Sequence, residues 1–250
     1  MTDRRAILVD VVRCVGCQAC VEACQEAAGQ IPHRADRFDA RSFTYLVRRG
    51  RSHVRRLCMH CQDPTCVSVC PVKALTKTPQ GAVTYDSTRC MGCRYCLMSC
   101  PFGVPTYEWS SRLPRVRKCE MCHQRADGPA CAEVCPEEAT VTGSRPAMIQ
   151  LARRRQKEAP RKYYPYIYGI KEVGGTDVLF IGPGSPAELG LPTRIKKDPL
   201  PRLTRNVLHH VPDVVLFGSV ILGGLYWLTN RREIVRRAEG ECPKSKEEHD

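Results

Sequence analysis

The sequence is short of core-forming residues and of catalytic motifs. Only 6% of its 250 residues are aromatic, and 18 Gly and 19 Pro leave little material for a large apolar core. No pair of carboxylates, nucleophile beside a base or phosphate-binding loop stands out. We therefore expect one or two domains that are held together by something besides hydrophobic burial, with no substrate site of their own.

The N-terminal segment also lacks an export sequence. Residues 1–10 contain no apolar run long enough for a signal peptide and no twin-Arg pair followed by an apolar region. By itself the chain is expected to be made and kept in the cytoplasm, where thiols stay reduced. Its cysteines are therefore expected to be metal ligands rather than disulfides.

The sequence has cysteine in excess. Of 17 cysteines, 16 lie between residues 14 and 135 in four groups of four. The first group is Cys14, Cys17, Cys20 and Cys24, the second is Cys58, Cys61, Cys66 and Cys70, the third is Cys90, Cys93, Cys96 and Cys100, and the fourth is Cys119, Cys122, Cys131 and Cys135. The first and third groups are spaced C-x2-C-x2-C-x3-C, and the other two have longer middle gaps. Pro71, Pro101 and Pro136 follow the last cysteine of their groups, and Gln25 takes that place in the first.

This spacing has a physical meaning. Three closely spaced cysteines can wrap three iron corners of a cubic [4Fe–4S] cluster, and the fourth, three residues later, ligates a neighbouring cluster. The following proline suits a helix start, because its missing N–H loses no hydrogen bond there. The pattern predicts that each fourth cysteine begins a short helix, and four such groups predict an iron–sulfur protein.

Zinc sites, disulfides and covalent haem are the alternative interpretations of these cysteines. Structural zinc also uses C-x2-C pairs, although its pairs usually stand well apart and lack the x3-Cys-Pro tail. A disulfide framework conflicts with a reducing compartment. Cys119 to His123 match the C-x-x-C-H haem-attachment motif, but the fourth group already requires both cysteines, so covalent haem is not expected. His123 and His60 are interpreted as ordinary loop residues.

The formal net charge of +13 would suggest a nucleic-acid partner. That count treats each cysteine as neutral, whereas a [4Fe–4S] cluster with four thiolates carries roughly −2 when oxidised, so four clusters would cancel roughly eight positive charges. No nucleic-acid partner is therefore expected. The basic residues that stand beside cysteines are candidates to offset the cluster charge or, equally, solvated surface residues: Arg13, Arg89, Arg94, Lys118 and Arg125.

The cysteine pattern over residues 5–145 resembles a known family. It is similar to the four-cluster ferredoxin-like subunits of membrane-bound bacterial oxidoreductases, such as formate dehydrogenase beta subunits, the iron–sulfur component of uptake hydrogenases, and polysulfide or dimethyl sulfoxide reductase B subunits. The stretch from Cys90 to Pro105 looks typical of them. Residues 174–180 and Leu189 to Pro192 look similar to the formate dehydrogenase and hydrogenase types, which also carry a C-terminal membrane helix.

The resemblance implies an α+β fold of two interleaved bacterial-ferredoxin-like dicluster units, in which groups exchange ligands. The first and fourth groups would share two clusters, and the second and third groups would share the other two. Cluster 1 would use Cys14, Cys17, Cys20 and Cys135, cluster 2 would use Cys24, Cys119, Cys122 and Cys131, cluster 3 would use Cys58, Cys61, Cys66 and Cys100, and cluster 4 would use Cys70, Cys90, Cys93 and Cys96.

The remaining residues predict simpler features. Short strands are expected at 7–12 and 43–47, and a turn with a strand at 79–86. Residues 145–165 are basic and predict a solvated helix or a docking surface, with RNA binding as a remote alternative. Residues 182–202 are rich in Pro and Gly and predict an extended arm.

An apolar segment from Val211 to Thr229 predicts a transmembrane helix rather than a buried core helix. Nineteen residues at about 1.5 Å each span about 28 Å, close to the thickness of a bilayer core. The only charge is Asp213, Pro212 suits a first helical turn, and Tyr226 and Trp227 suit a membrane interface. Basic residues flank both ends, so orientation stays open. His209 and His210 are expected at the membrane edge in an interfacial role, and Cys242 as a free thiol.

These expectations divide the chain into four parts: a four-cluster domain (1–145), a basic helix and arm (146–206), a transmembrane helix (207–230) and a polar tail (231–250). By resemblance it is a non-catalytic redox subunit that relays electrons from a molybdopterin or nickel–iron catalytic subunit to a membrane haem b or quinone partner, or back. The resemblance puts the cluster domain in the periplasm, with the cytoplasmic face as the alternative. A zinc-dependent scaffold or assembly factor and a soluble dicluster carrier are the competing functions.

Overall fold

The computed structural model describes residues 4–109 and 115–240, so Cys242 and the side chain of His209 lie outside the described residues. The chain divides after Pro201 into two compact units. The strands are β1 (Arg5–Asp10), β2 (Tyr45–Arg49), β3 (Ser52–Arg56), β4 (Leu75–Lys77), β5 (Val83–Tyr85), β6 (Thr106–Tyr107), β7 (Val116–Arg117), β8 (Thr140–Ser144) and β9 (Val178–Ile181). The helices are α1 (Ala19–Ala27), α2 (Thr65–Ser68), α3 (Tyr95–Ser99), α4 (Ala130–Glu133), α5 (Arg145–Glu158) and α6 (Leu200–Gly240).

The first unit is built on a three-stranded sheet with β1 in its centre. β8 pairs with β1 in antiparallel orientation, with Val141 opposite Leu8, and β9 pairs with β1 in parallel, with Leu179 opposite Leu8. Three hairpins, β2–β3, β4–β5 and β6–β7, complete the strands. The strands predicted at 7–12, 43–47 and 79–86 correspond to β1, β2 and β5 with shifted ends.

Both faces of this sheet are covered. Because side chains alternate across a strand, β1 presents Ile7 and Val9 to one face and Leu8 to the other. Ile7 and Val9 pack in one apolar core with Met59 and Met121, which stand inside the second and fourth cysteine groups. The opposite face of the sheet packs on α5. The sheet is therefore the base on which two of the cysteine loops rest.

A buried ion pair fixes α5 to the end of β1. Arg155 donates to Asp10 Oδ2 at 2.9 Å, and the Tyr163 hydroxyl donates to the same oxygen at 2.8 Å. Arg155 and Ala152 are buried, so the basic helix is solvated along one side only. Together α5 and β9 place residues 145–181 in the same unit as the cysteine groups, whereas the sequence predicts a boundary after residue 145.

The prediction that each fourth cysteine begins a helix is wrong. The short helices carry the third cysteine and end before the fourth: α2 ends before Cys70, α3 before Cys100 and α4 before Cys135. A proline pushes the residue before it out of the helical region, and Cys100, which precedes Pro101, is extended with φ −76° and ψ 114°. Proline therefore stands where these helices end. Two other prolines, Pro64 and Pro129, precede the starts of α2 and α4.

Gln25 gives the first group a different geometry. Without a proline at this position, α1 continues through Cys24 to Ala27. Gln25 is buried, and its Nε2 donates to Ser42 Oγ at 2.7 Å and to His33 O at 3.1 Å. Its Oε1 accepts from the His33 N–H at 2.9 Å. Gln25 thus both extends the helix and fastens the loop that follows it.

Helix α6 supplies the described residues of the second unit. Its segment His210–Gly240 is long and apolar enough to cross a membrane. Leu216 and Phe217 are exposed, and among the described residues none of the apolar window is buried, unlike a core helix. Pro212 lies inside the helix rather than in its first turn, so that prediction is wrong. The reason is that α6 begins at Leu200 and no helix breaker stands between residues 202 and 211.

Candidate metal centres

The loops of the first and third groups turn in the same way. Gly16 and Gln18 have φ of 78° and 68°, and Gly92 and Arg94 have φ of 76° and 63°. A β-carbon at Gly16 would stand 2.7 Å from the His53 ring, so this close approach requires glycine. The alternation of left-handed residues coils each loop so that its first three cysteines face one point, ahead of a helix that carries the third.

Cys135 of the fourth group lies beside the first three cysteines of the first. Cys14, Cys17, Cys20 and Cys135 line one cavity at the edge of the sheet. Burial, and then the charges of Cys135 and Cys17, raise the pKa of the Cys14 thiol. These four thiols, from groups more than one hundred residues apart, therefore share one space.

The reciprocal arrangement surrounds Cys24. Cys24, Cys119 and Cys122 line a second cavity. Burial, and then the charge of Cys131, raise the pKa of Cys24 to about 12. Burial and the charge of Cys24 raise the pKa of Cys119. Helix α1 packs directly against α4, which brings Cys24 to the fourth group.

The second and third groups are related in the same manner. Burial and the charges of Cys58 and Cys100 raise the pKa of Cys61. Burial, followed by the charge of Cys58, raises the pKa of Cys66 to about 12, and Cys100 contributes to the same shift. Cys100 is thus the member of the third group that stands among Cys58, Cys61 and Cys66.

Cys70 stands among the other three cysteines of the third group. Cys70, Cys90, Cys93 and Cys96 line a cavity at the contact of α2 with α3. Burial and the charges of Cys90 and Cys93 raise the pKa of Cys96 to about 11, and Cys70 adds to the shift.

These four sets have the properties that a [4Fe–4S] cluster requires. Backbone N–H groups donate to sulfur atoms, from Ala74 to Cys70 at 3.2 Å and from Met121 to Cys119 at 3.3 Å. Within the described ranges, no three His, Cys, Asp or Glu side chains converge as they would around one ion. Instead, the four thiols that include Cys135, the four that include Cys70 and three of those around Cys24 line cavities, as ligands at separate corners of a cluster would. Burial raises the pKa of thiols such as Cys14, Cys24 and Cys119, which therefore stay protonated until bound iron replaces the protons.

The two histidines inside these groups differ from each other. His123 is half-buried, and its Nδ1 lies 3.5 Å from Glu120 Oε2, as suits a loop residue. His60 also lies in a loop, between β3 and α2, but it is fully buried there, and its Nδ1 accepts from the Val83 N–H at 3.0 Å. Burial and the charge of Lys118 lower the pKa of His60, so its ring is neutral. Its burial follows from the packing of β5 on the second group.

The basic residues beside the cysteines divide into exposed and buried. Arg94 stacks on Tyr107 and Trp109, and Lys118 is buried and donates to Val83 O and Cys119 O. The other three are partly exposed and pair with carboxylates: Arg13 with Glu138 at 3.3 Å, Arg89 with Asp86 at 3.4 Å, and Arg125 with Glu133 at 2.8 Å. Of the five predicted candidates, only Lys118 is a buried cation among the thiols.

Sequence reasoning missed a second buried cation, Arg55 of β3. Its guanidinium lies among cysteines of the first and fourth groups. Arg55 stands three residues before Cys58 of the second group, so proximity in sequence points to the wrong group. The sequence carries no signal for this cation, because the burial of Val54 and Arg55 as consecutive residues of β3 is seen only in the structure.

Comparisons with known proteins also point to iron–sulfur binding. Residues 52–145 match the model of a 4Fe-4S dicluster domain. A protein of Nitratidesulfovibrio vulgaris is 36% identical over 95% of this chain and 70% of its own length. The hydrogenase-2 operon protein HybA of Escherichia coli O157:H7 is 35% identical over 90% of this chain and 84% of its own length.

A third relative extends the likeness to another complex. The iron–sulfur subunit of the nitrate-inducible formate dehydrogenase of Escherichia coli K12 is 32% identical over 70% of this chain and 67% of its own length. The resemblance seen in the cysteine pattern is thereby confirmed. The chain belongs to the family of 4Fe-4S iron–sulfur proteins that includes HybA and the iron–sulfur subunits of formate dehydrogenases.

Proposed function

We propose that this chain is the electron-transfer subunit of an oxidoreductase complex, and that it passes single electrons along four [4Fe–4S] clusters between a catalytic subunit and a membrane partner with haem b or a quinone site. The observation that carries the proposal is the meeting of thiols from distant groups, such as Cys135 with Cys14 and Cys17. Each cluster, when bound, accepts one electron and gives it up again. The chain holds the sites in place and shields them from water.

The packing of the helices supports two interleaved dicluster units. Helix α1 of the first group packs on α4 of the fourth, and α2 of the second group packs on α3 of the third. One pair of groups thus encloses the other in sequence. The ligand sets that follow are the four sets of neighbouring thiols described above, with Cys24, Cys70, Cys100 and Cys135 as the exchanged members.

Each set is given the number of the cluster that it would hold. Charge effects between the sets support a single file of clusters in the order 1, 2, 3, 4. The charge of Cys131 acts on Cys20, which links sets 1 and 2. The charge of Cys58 acts on Cys119, which links sets 2 and 3. The charge of Cys96 acts on Cys66, which links sets 3 and 4. An electron that enters at one end of such a file crosses only short gaps.

Exposure favours clusters 1 and 4 as the ends that meet the partners. Val15 in the first loop and Met91 and Met98 in the third group are exposed apolar residues. Met59 and Met121, in the second and fourth groups, are buried in the core. Exposed apolar side chains beside a redox centre suit a surface that another subunit covers.

Metal analysis separates this function from the alternative of a zinc scaffold, which the family does not favour. Anaerobically purified protein should contain about sixteen irons and sixteen sulfides per chain. Four or fewer metals per chain, all of them zinc, would refute the iron–sulfur proposal. Two clusters alone would support the soluble dicluster carrier.

The ligand exchange has its own test. Cys135→Ser should damage the cluster held by Cys14, Cys17 and Cys20, while Cys24→Ser should damage the cluster of the fourth group. Electron paramagnetic resonance of the reduced protein would identify which signal is lost in each variant. If Cys135→Ser removes the signal that Cys24→Ser was expected to remove, the exchange is wrong.

We further propose that α6 anchors the chain in the cytoplasmic membrane with the cluster domain in the periplasm, carried across by a partner that has an export signal. The length and composition of His210–Gly240 support the anchor. Protease added to intact spheroplasts should cleave the cluster domain. Protection until the cells are broken would place that domain on the cytoplasmic face instead.

A further inference from the structure

Arg55 is a buried guanidinium held in a fixed position. Its side chain is 2% exposed. Nε donates to Thr44 Oγ1 at 2.9 Å, and one terminal nitrogen donates to Thr140 Oγ1 at 3.3 Å. Thr140 also donates its N–H to Cys135 Sγ at 3.4 Å, so the same residue contacts the guanidinium and a thiol of set 1.

A buried arginine is usually paired with a carboxylate, whereas the groups around Arg55 include cysteine thiols. Arg55 lines the cavity of Cys14, Cys17, Cys20 and Cys135. Cys131 of set 2 packs in one apolar cluster with Cys20 of set 1, and its charge acts on Arg55 more strongly than that of any other thiol. Within the part of the chain that the structure describes, Arg55 makes no ion pair with a carboxylate.

An unpaired buried guanidinium is costly, so something in its surroundings must offset it. Burial works against the charge of Arg55, but cysteines that are thiolates, as cluster ligands are, raise its pKa above the ordinary value, with Cys131 first. Arginine keeps its proton under all ordinary conditions. The charge is therefore permanent, and the groups near enough to balance it belong to sets 1 and 2.

We propose that the fixed positive charge of Arg55 raises the reduction potentials of both cluster 1 and cluster 2. The inference rests on the proposed function and adds to it a control of potential. One electron takes a cluster from roughly −2 to roughly −3, counting its four thiolates, and no proton needs to move. A nearby cation favours the more negative, reduced form.

The effect should be confined to one half of the file. Sets 3 and 4 are made from the second and third groups, and none of their thiols is among the leading charges that act on Arg55. Lys118 is a buried cation whose charge acts on Cys66 of set 3. Arg55 and Lys118 thus serve different parts of the file, and removal of Arg55 leaves the second cation in place.

The experiment is a redox titration of the full chain, followed by electron paramagnetic resonance, with dithionite as the electron donor. In Arg55→Gln two of the four midpoint potentials should fall. The reduced-to-oxidised ratio of those clusters at a fixed potential should drop at least tenfold, which is about 59 mV for a one-electron couple. Arg55→Lys keeps the positive charge, so its midpoint potentials should stay close to those of the wild type.

Arg125→Gln is the matched control. Arg125 stands in the fourth group, as Cys131 does, but it is 40% exposed and already paired with Glu133. Its removal should leave all four potentials unchanged. A fully loaded Arg55→Gln protein with unchanged potentials, or with an equal fall in all four, would overturn the proposal.

Iron content covers the case in which Arg55→Gln cannot hold its clusters. If the charge of Arg55 is what matters, Arg55→Lys should retain the wild-type iron content. Loss of iron from both variants would show a role in packing alone and would overturn the proposal. Wild-type protein without iron would refute the proposed function itself. The two failures are therefore distinguishable.

Discussion

Replacing Gln25 by proline would make the first cysteine group look like the other three, and the structure predicts that this change is harmful. In the second, third and fourth groups, proline follows a cysteine that stands beyond the end of its helix. In the first group, the helix continues through Cys24 to Ala27. Proline at position 25 would sit inside α1 and would push Cys24 out of the helical region.

The loss of stability expected in Gln25→Pro has two parts. A proline inside a helix costs about 3 kcal/mol through the lost hydrogen bond and the ring clash. The side chain of Gln25 also makes three hydrogen bonds, to Ser42 Oγ, His33 O and His33 N. At about 1 kcal/mol each, they bring the expected loss to about 6 kcal/mol, a large share of the 5–15 kcal/mol by which domains are usually stable.

The assay is denaturant unfolding of anaerobically purified protein, together with its iron content. Gln25→Pro should lose about 6 kcal/mol and the iron of the cluster that uses Cys24, whereas Gln25→Ala should lose about 3 kcal/mol and keep the helix. Pro101→Ala is the control in a group where proline stands after the helix, and it should be mild. A Gln25→Pro protein as stable as wild type would refute the reasoning.

Three further predictions concern the base of the first unit. Arg155→Met should lower the free energy of unfolding by about 3–5 kcal/mol, because Asp10 is left as a buried unpaired charge, and Asp10→Asn in the same chain should recover part of this loss in a double-variant cycle. Burial, and then the hydrogen bond to Asp10, raise the pKa of Tyr163 to about 12 from 10.0. The contribution of this hydroxyl to stability is therefore complete below pH 10 and is lost as the pH rises towards 12. In thermal melts, the stability of Tyr163→Phe should fall less steeply over this pH range than that of the wild type. Removal of iron by a chelator should release the amides of β4 to β7 to hydrogen exchange while β1, β8 and β9 stay protected, and equal loss in all strands would contradict this division.

Local chemistry made much of this protein predictable from its sequence. The number and spacing of the cysteines identify an iron–sulfur protein, because ligands for one cluster come from a short loop whose spacing is visible in the chain. The apolar length of the segment from Val211 identifies a helix that can cross a membrane, because bilayer thickness sets that length. Strands β1, β2 and β5 were predictable from short apolar or β-branched runs and nearby turn residues.

The tertiary structure decided what depends on residues distant in sequence. It brings Cys135 beside Cys14, sets β9 parallel to β1, and places Arg55 among thiols of the first and fourth groups. Gln25 shows the same limit on a smaller scale, since its helix is held by Ser42 and not by its own group. Sequence patterns record which ligands exist, whereas packing between distant segments selects which of them meet and which charges surround them.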